Sequence, residues 1–453
     1  MKNKYRNKLT TTQIIMLSFL ILILAGSVLL AMPFSAANGK AVSYIDALFT
    51  ATTSVCVTGL VTVPTVSAWS FWGQLVILLL IQAGGLGVIT IVSMFMINLH
   101  KKIGLGDRML IQAAFNLNTL SGLVKFVKNV VLGTFLVEGV GALLYMTVFV
   151  PEHGVRGVWI SVFNAVSAFC NAGMDIISEN SLCEYALNPM VNMVTCLLIV
   201  FGGIGYIVWW DVIRVLRNFK KQGFACFKRM TLQSKLAISV TVFLIVAGAM
   251  AVFILEYNNP LTLGGQSVWD KLQLAFFQSV TTRTAGFATV PQQNLKDATS
   301  VISLLLMFIG GSPAGTAGGI KTVTMLVLVA SAVATIKNKN EVVLFNRKIP
   351  KEAVNKSVAI MSTSFATTFT ATILLLAVMN AGALDVIYET VSATATVGLS
   401  RGLTTVLDLW GKIIIIITMY LGRIGPISLA IAFGTRKEKQ NIISNPTEEI
   451  VIG

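Results

Sequence analysis

The chain repeats itself four times. Windows reading FTATTSVCVTGL (49–60), FNAVSAFCNAGM (163–174), FFQSVTTRTAGF (276–287) and YETVSATATVGL (388–399) share one pattern. In each, an aromatic residue (Phe49, Phe163, Phe276, Tyr388) stands ten residues before a glycine (Gly59, Gly173, Gly286, Gly398). The glycines are 114, 113 and 112 residues apart in a chain of 453, so the unit is a quarter of the sequence. Self-similarity at a fixed period marks a supersecondary unit used repeatedly, and here it leaves room for four copies of one.

The rest of each quarter is apolar. Eight stretches long enough to cross a bilayer run at 12–32, 71–98, 127–150, 190–213, 236–256, 301–335, 358–380 and 411–433. Only 12% of the residues are charged, about half the share in a soluble domain, so a water-soluble enzyme of ordinary build is excluded. The 34 basic residues outnumber the 19 acidic ones, and 25 of the 34 fall at the N-terminus, in the connections after the even-numbered stretches, or in the C-terminal tail. That asymmetry predicts a multi-pass protein of the cell membrane with both termini in the cytoplasm. The basic residues are not interleaved with aromatics, so no nucleic-acid partner is expected. The first apolar run, after Lys2, Lys4, Arg6 and Lys8, has no cleavage pattern behind it and reads as a helix, not a signal peptide. Five cysteines without paired spacing and two histidines give no disulfide framework and no metal site. No nucleophile–base pair stands out, and the chain is not expected to be an enzyme.

The connections at about 33–70, 151–189, 257–300 and 381–410 are moderately apolar but too short for two further spans. Each holds a helix-like piece, Tyr44–Val57, Val158–Cys170, Val268–Thr282 or Ala383–Ala395, ending in a small-residue turn. Such a segment reads as a re-entrant loop, which survives at membrane depth only inside protein or along a water-filled path. The second apolar stretch of each quarter also carries glycines: GGLG (84–87), GGIG (202–205), GGSPAGTAGG (310–319) and GRIG (422–425). The fold expected is therefore an all-α membrane protein of four tandem helix–pore loop–helix repeats, 1–110, 111–225, 226–345 and 346–453. One quarter cannot enclose a pore, but four around an axis can.

Short loops ending in small residues and a glycine suit an ion filter, because carbonyls replace a cation's hydration shell only where the backbone turns them toward the axis. The candidate filter residues are Val57, Thr58 and Gly59; Asn171, Ala172 and Gly173; Thr284, Ala285 and Gly286; and Thr396, Val397 and Gly398. The competing interpretation, a glycine that merely ends a helix, is weak for four loops in register.

These loops, with TTRTAGF, SATATVGL, GGLG, GGIGY and LGRIGP, resemble the membrane subunit of the Trk/Ktr/HKT superfamily of potassium transporters, closest to the bacterial Ktr type. The resemblance covers nearly the whole chain. It implies a pseudo-fourfold pore, selective for K+ because all four loops keep glycine, with Na+ as a possible activator. It also implies a homodimer in the lipid bilayer, docked on a cytoplasmic ring of nucleotide-binding regulatory subunits. No nucleotide is expected to bind this chain.

The run Gly310, Gly311, Ser312, Pro313, Ala314, Gly315, Thr316, Ala317, Gly318, Gly319 interrupts an apolar stretch. Proline and glycine weaken a helix interior, so this part is expected to unwind. It is not a phosphate-binding P-loop, since Ile320 separates Gly319 from Lys321. Packing of helices through small residues is one alternative; the resemblance implies an intramembrane gate under the filter. Arg423, in a run otherwise almost uncharged, should face the pore or a partner. The resemblance gives it the role of an electrostatic barrier in the pore, against the alternatives of a buried ion pair or a snorkelling side chain. Arg283 reads as a brace for the third loop. A sodium-coupled secondary transporter is the competing function, but such folds favour inverted repeats and midplane carboxylates, and here only Glu138 lies deep in an apolar run.

Overall fold

The computed structural model describes residues 10–99, 104–115, 121–217, 223 and 228–425. The N-terminal lysines and arginine, Lys101, Lys102, Lys220, Lys221 and the tail from 426 onward lie outside the described residues.

Each quarter is built from three parts. The first is a long helix: α1 (Thr11–Leu30), α7 (Leu123–His153), α11 (Leu232–Glu256) and α15 (Lys351–Val378). All four are long and apolar enough to cross a membrane. Their outward faces expose large apolar side chains such as Ile21, Leu143, Phe243 and Phe369, the surface that lipid, not water, must cover. The second part is a shorter helix: α2 (Tyr44–Cys56), α8 (Val155–Cys170), α12 (Val268–Thr281) and α16 (Ala383–Ala395). Ser43 and Ser267 cap the starts of α2 and α12 by accepting from the Asp46 and Asp270 N–H groups. These helices run inward and stop in the middle of the protein, where their last two turns are almost wholly buried. The re-entrant pieces expected from sequence match these helices to within a few residues.

The third part differs between quarters. In repeat 1 it is α4 (Phe71–Leu86) and α5 (Val88–Asn98), preceded by the single turn α3 (Thr65–Ala68) and followed by α6 (Leu105–Ala114). In repeat 2 it is α9 (Pro189–Gly203) and α10 (Tyr206–Leu216). These pairs bend by 93° and 99° at their break, so the stretches 71–98 and 190–213 are not single straight spans. The pivot residues Gly87 and Gly205 have φ of 83° and 93°, a region that glycine reaches without steric cost. In repeat 3 the stretch 301–335 splits into α13 (Asp297–Phe308) and α14 (Thr322–Ile336), with no helix between. A two-residue hairpin, β1 (Val343–Leu344) with antiparallel β2 (Arg347–Lys348), precedes α15. The last described helix of repeat 4 is α17 (Leu409–Ile424), capped by Asp408, and the end of the expected stretch 411–433 lies outside the described residues.

The repeats interlock in order. Each re-entrant helix packs on the inner helix of the repeat before it: α8 on α4, α12 on α9, α16 on α13, and α2 on α17. The last contact joins repeat 1 to repeat 4 and closes the ring. Asp46 at the start of α2 and Lys412 in α17 reinforce that closure with a 2.6 Å ion pair.

Two sequence expectations need correction. Phe49, Phe163 and Tyr388 are fully buried, but Phe276 is 45% exposed, and its neighbour Phe277 takes the buried place. The helix α12 stops five residues before its glycine, where the other three stop three residues before theirs, so the third turn is two residues longer. Glu138 is also not the only deeply buried carboxylate. Glu256 and Glu389 are fully buried, each held by neighbouring hydroxyls, Thr262 and Thr299 for Glu256 and Ser400 and Thr404 for Glu389.

Candidate functional site

The four glycine turns meet at the centre. A methyl group on Gly59 would sit 2.6 Å from the Ala172 carbonyl oxygen, and one on Gly173 would sit 2.5 Å from that of Ala285. The same atom on Gly286 would lie 2.5 Å from the Val397 oxygen, and on Gly398, 2.3 Å from the Thr58 oxygen. Each glycine is thus pressed against the residue preceding the next glycine in chain order, and the fourth returns to the first. At each of the four places a side chain would force the neighbouring carbonyl to move.

The backbone here is held in an unusual shape. The residue two before each glycine is left-handed: Val57 (φ 55°), Asn171 (59°), Thr284 (62°) and Thr396 (53°). Three of these are β-branched, for which a positive φ is a true outlier, at a cost of about 1–3 kcal/mol each. The glycines follow with φ of 100°, 63°, 82° and 96°. Hydroxyls inside the helices pin the turns: the Gly59 N–H donates to Thr53 Oγ1 (2.9 Å), the Met174 N–H to Ser167 Oγ (3.1 Å) and the Gly398 N–H to Ser392 Oγ (3.0 Å). Thr58 Oγ1, Asn171 Nδ2 and Thr396 Oγ1 are buried without a hydrogen-bond partner. Strain recurring at one position of all four copies, with unsatisfied polar atoms in three of the turns, marks a place selected for something other than stability.

The inner glycines let this ring form. A methyl group on Gly84, Gly202 or Gly422 would fall 2.0, 1.9 or 2.1 Å from the carbonyl oxygen of Val55, Phe169 or Thr394. Those acceptors each lie four residues before a central glycine, so the inner helix rests its bare backbone on the end of the re-entrant helix. Gly310 breaks the rule and packs on the Gly318 carbonyl instead.

The 309–321 segment is unwound, as its composition predicts, and folds into a closed lobe. Its neck is tied by the Gly310 N–H to the Ile320 carbonyl (3.0 Å) and the Ile320 N–H to the Phe308 carbonyl (3.2 Å). The lobe leans on repeat 2, where Ser312 and Thr316 N–H groups donate to the Gly203 and Gly202 carbonyls at 2.8 and 3.1 Å. It also reaches three of the four left-handed residues. The Thr316 hydroxyl donates to the Phe169 carbonyl (3.0 Å) and approaches Asn171 Oδ1 (3.3 Å), and the Gly318 N–H donates to Thr284 Oγ1 (3.2 Å). Thr396 Oγ1 lies so close to Gly318 that no side chain fits there. Only Val57, which offers no hydroxyl or amide, is left out.

Two arginines hold the lobe. Arg283, 6% exposed, donates from Nη2 to the Gly310 carbonyl at 3.0 Å, the bracing role expected of it. Arg423 donates from Nη1 to the Thr316 carbonyl (2.7 Å) and from Nη2 to the Gly84 carbonyl (2.5 Å). Neither forms an ion pair among the described residues, so the ion-pair explanation of Arg423 is set aside. Sequence reasoning missed Lys321, whose Nζ donates to the Ala317 carbonyl at 2.5 Å. Its position two residues after the glycine run was the available signal. Glu138, in α7, accepts from Gln82 Nε2 at 3.2 Å and stays behind the second turn, away from the ring.

A model of the TrkH family, described as a cation transport protein, matches residues 2–444. The chain belongs to that family. It is 40% identical over 98% of its length, and 97% of the relative's, to the Ktr system potassium uptake protein B of Bacillus subtilis. It is 36% identical over its whole length, and 99% of the relative's, to the potassium/sodium uptake protein NtpJ of Enterococcus hirae. Among solved structures, the potassium transporter TrkH from Vibrio parahaemolyticus superposes with a TM-score of 0.75, covering 96% of this chain and 86% of that one at 17% identity. That likeness shows the fold: an all-α membrane protein of four repeats.

Proposed function

We propose that the chain takes up potassium through a channel-like pore, with the four glycine turns as its selectivity filter and the 310–319 loop as its gate. The observation that carries this reading is the ring itself, four strained turns contributed in chain order, with a lobe that bonds to two of them and packs against a third. Left-handed residues followed by glycine let successive carbonyls turn toward a central ion. Similarity to relatives named for potassium uptake supports K+ as the transported ion. Sodium, named alongside potassium in the Enterococcus hirae relative, acts in this reading as an activator. Arg423 adds a positive charge to the closed path, which repels cations until the lobe moves. Both termini face the cytoplasm, and two chains pair beneath a cytoplasmic nucleotide-binding ring that supplies the regulation.

Rubidium uptake in a bacterium lacking its own potassium uptake tests the reading. Expression should restore uptake well above empty vector. Gly59→Ser and Gly286→Ser push on the Ala172 and Val397 carbonyls and should lower the preference for potassium over sodium about tenfold, equivalent to ~1.4 kcal/mol. Normal membrane abundance with no uptake by the parent, or unchanged ion preference in both variants, sinks the proposal.

A further inference from the structure

Beside the lobe lies a cavity of about 350 Å³ that none of the four central glycines lines. Its charged lining is one-sided: Arg423 and Lys321 face it, and no described carboxylate does. The two cations are also side by side. Arg423 bonds the Thr316 carbonyl and Lys321 bonds that of the next residue, Ala317, and consecutive Cα atoms are about 3.8 Å apart. Like charges gathered at one point without a counter-charge create a strongly positive space.

Two helices add to that potential. Gly87, Val88, Ile89 and Thr90 line the cavity, and they form the N-terminal turn of α5, which no side chain caps. Lys321 is itself the N-cap residue of α14, again without a side-chain cap. Uncapped N-terminal N–H groups and the positive end of the helix dipole attract oxyanions. The donors are not exhausted either. Arg423 spends two of its five N–H groups on carbonyls and Lys321 one of its three.

We infer that this cavity is a binding site for a small oxyanion of the phosphate or sulfate class, held between Arg423 and Lys321 at the first turn of α5. The bound anion takes the free donors without displacing Thr316 or Ala317. It relieves the repulsion between the two cations and so stabilises the lobe in its place under the ring. A lobe held more firmly in the path blocks ions sterically even where the charge of Arg423 is neutralised, so occupancy slows transport. The binding half of this inference is independent of the proposed function, and the transport half rests on it.

Purified full-length protein in phosphatidylcholine nanodiscs provides the test, with choline sulfate compared with choline chloride at equal ionic strength. A ligand that binds only the folded state raises the unfolding midpoint in a saturable way, and sulfate should do so where chloride does not. In phosphatidylcholine proteoliposomes, saturating sulfate should slow rubidium flux at least threefold. Lys321→Gln should weaken both responses at least fivefold, and Lys321→Arg, which keeps the charge, should retain them. A sulfate response present in phosphatidylcholine and already saturated in phosphatidylglycerol would support the site with a lipid headgroup as its occupant. Equal midpoints in sulfate and chloride, or an undiminished response in Lys321→Gln, overturns the inference. A sulfate-dependent midpoint in a protein that carries no rubidium would instead overturn the proposed function and leave the site standing.

Discussion

Repeats 1 and 3 follow one plan and part company at one glycine. In repeat 1, Gly84 lays bare backbone on the Val55 carbonyl, and a single non-helical residue, Gly87, separates α4 from α5. In repeat 3, Gly310 has lost that contact and thirteen residues, 309–321, separate α13 from α14. The Gly310 backbone is used twice over: its N–H closes the neck of the lobe, and its carbonyl is taken by Arg283. A bend therefore needs one glycine at positive φ, whereas a lobe needs the inner helix to be released from the re-entrant helix and caught again by an arginine. The fourfold plan is kept at the ring and abandoned at the lobe.

The largest effect should come from cutting the same length out of both places. Deleting Ala314–Gly318 removes the lobe's contacts with Asn171, Thr284 and Thr396 while its neck, tied through Gly310 and Ile320, survives. Rubidium flux per folded molecule should rise by an order of magnitude or more, and dependence on a cytoplasmic partner should fall. Deleting Gly84–Val88 from repeat 1 removes a packing contact of the ring, and no assembled protein should be recovered. Loss of transport in a well-assembled 314–318 deletion would return the segment to a packing role.

The third turn also differs from the first in its aromatic support, and stability measurements can expose this. Phe49 and Phe277 are fully buried, whereas Phe276, at the position matching Phe49, is 45% exposed. Phe49→Ala and Phe277→Ala should each cost ~3–5 kcal/mol, and Phe276→Ala less than ~1 kcal/mol. Equal losses at Phe276 and Phe277 would contradict the shifted register.

Arg423 links the two regions, since it holds Thr316 of the lobe and Gly84 of the repeat 1 bend. Two unit charges 4 Å apart repel by ~4 kcal/mol at an effective dielectric near 20, and a hydrated ion passing further off feels less. Arg423→Ala should raise flux about tenfold, matching ~1.4 kcal/mol, and Arg423→Lys should keep most of the barrier. A folded alanine variant that conducts no faster than the parent disposes of the barrier.

What could be read from sequence follows from how each constraint is written. Gly59, Gly173, Gly286 and Gly398 are legible because a backbone that must reach positive φ in a crowded ring accepts little else. The left-handed shape of Val57, Thr284 and Thr396 is invisible, since β-branched residues argue against it and only the assembled ring enforces it. The Phe276–Phe277 pair is ambiguous by one residue, because both members are equally apolar and only the packed helix shows which one is buried. That Gly84 and Gly422 serve as contact surfaces cannot be read from either repeat alone, because the carbonyls they meet lie some thirty residues earlier in the chain. The order in which the turns touch, each against the next, is a property of the closed ring and is written in no single segment.

The smallest expected effect tests whether the lobe is held by the ring or merely lies near it. Thr316→Val keeps the side chain's size, the Thr316 N–H bond to Gly202 and the carbonyl bond to Arg423, and removes only the hydroxyl. That hydroxyl serves the Phe169 carbonyl and Asn171 Oδ1 at 3.0 and 3.3 Å. A net hydrogen bond contributes ~1 kcal/mol, so the closed lobe should weaken enough for basal flux to rise about two- to fivefold. Asn171→Ala should give a rise of similar size. Because the two residues share one interaction, the double variant should rise no further than the larger single effect. The repeat 1 counterpart of Asn171 is Val57, whose side chain has no polar atom to offer the lobe. Fully additive effects of Thr316→Val and Asn171→Ala would mean that each acts on its own, and the lobe would then owe its position to repeat 2 and Arg423 alone.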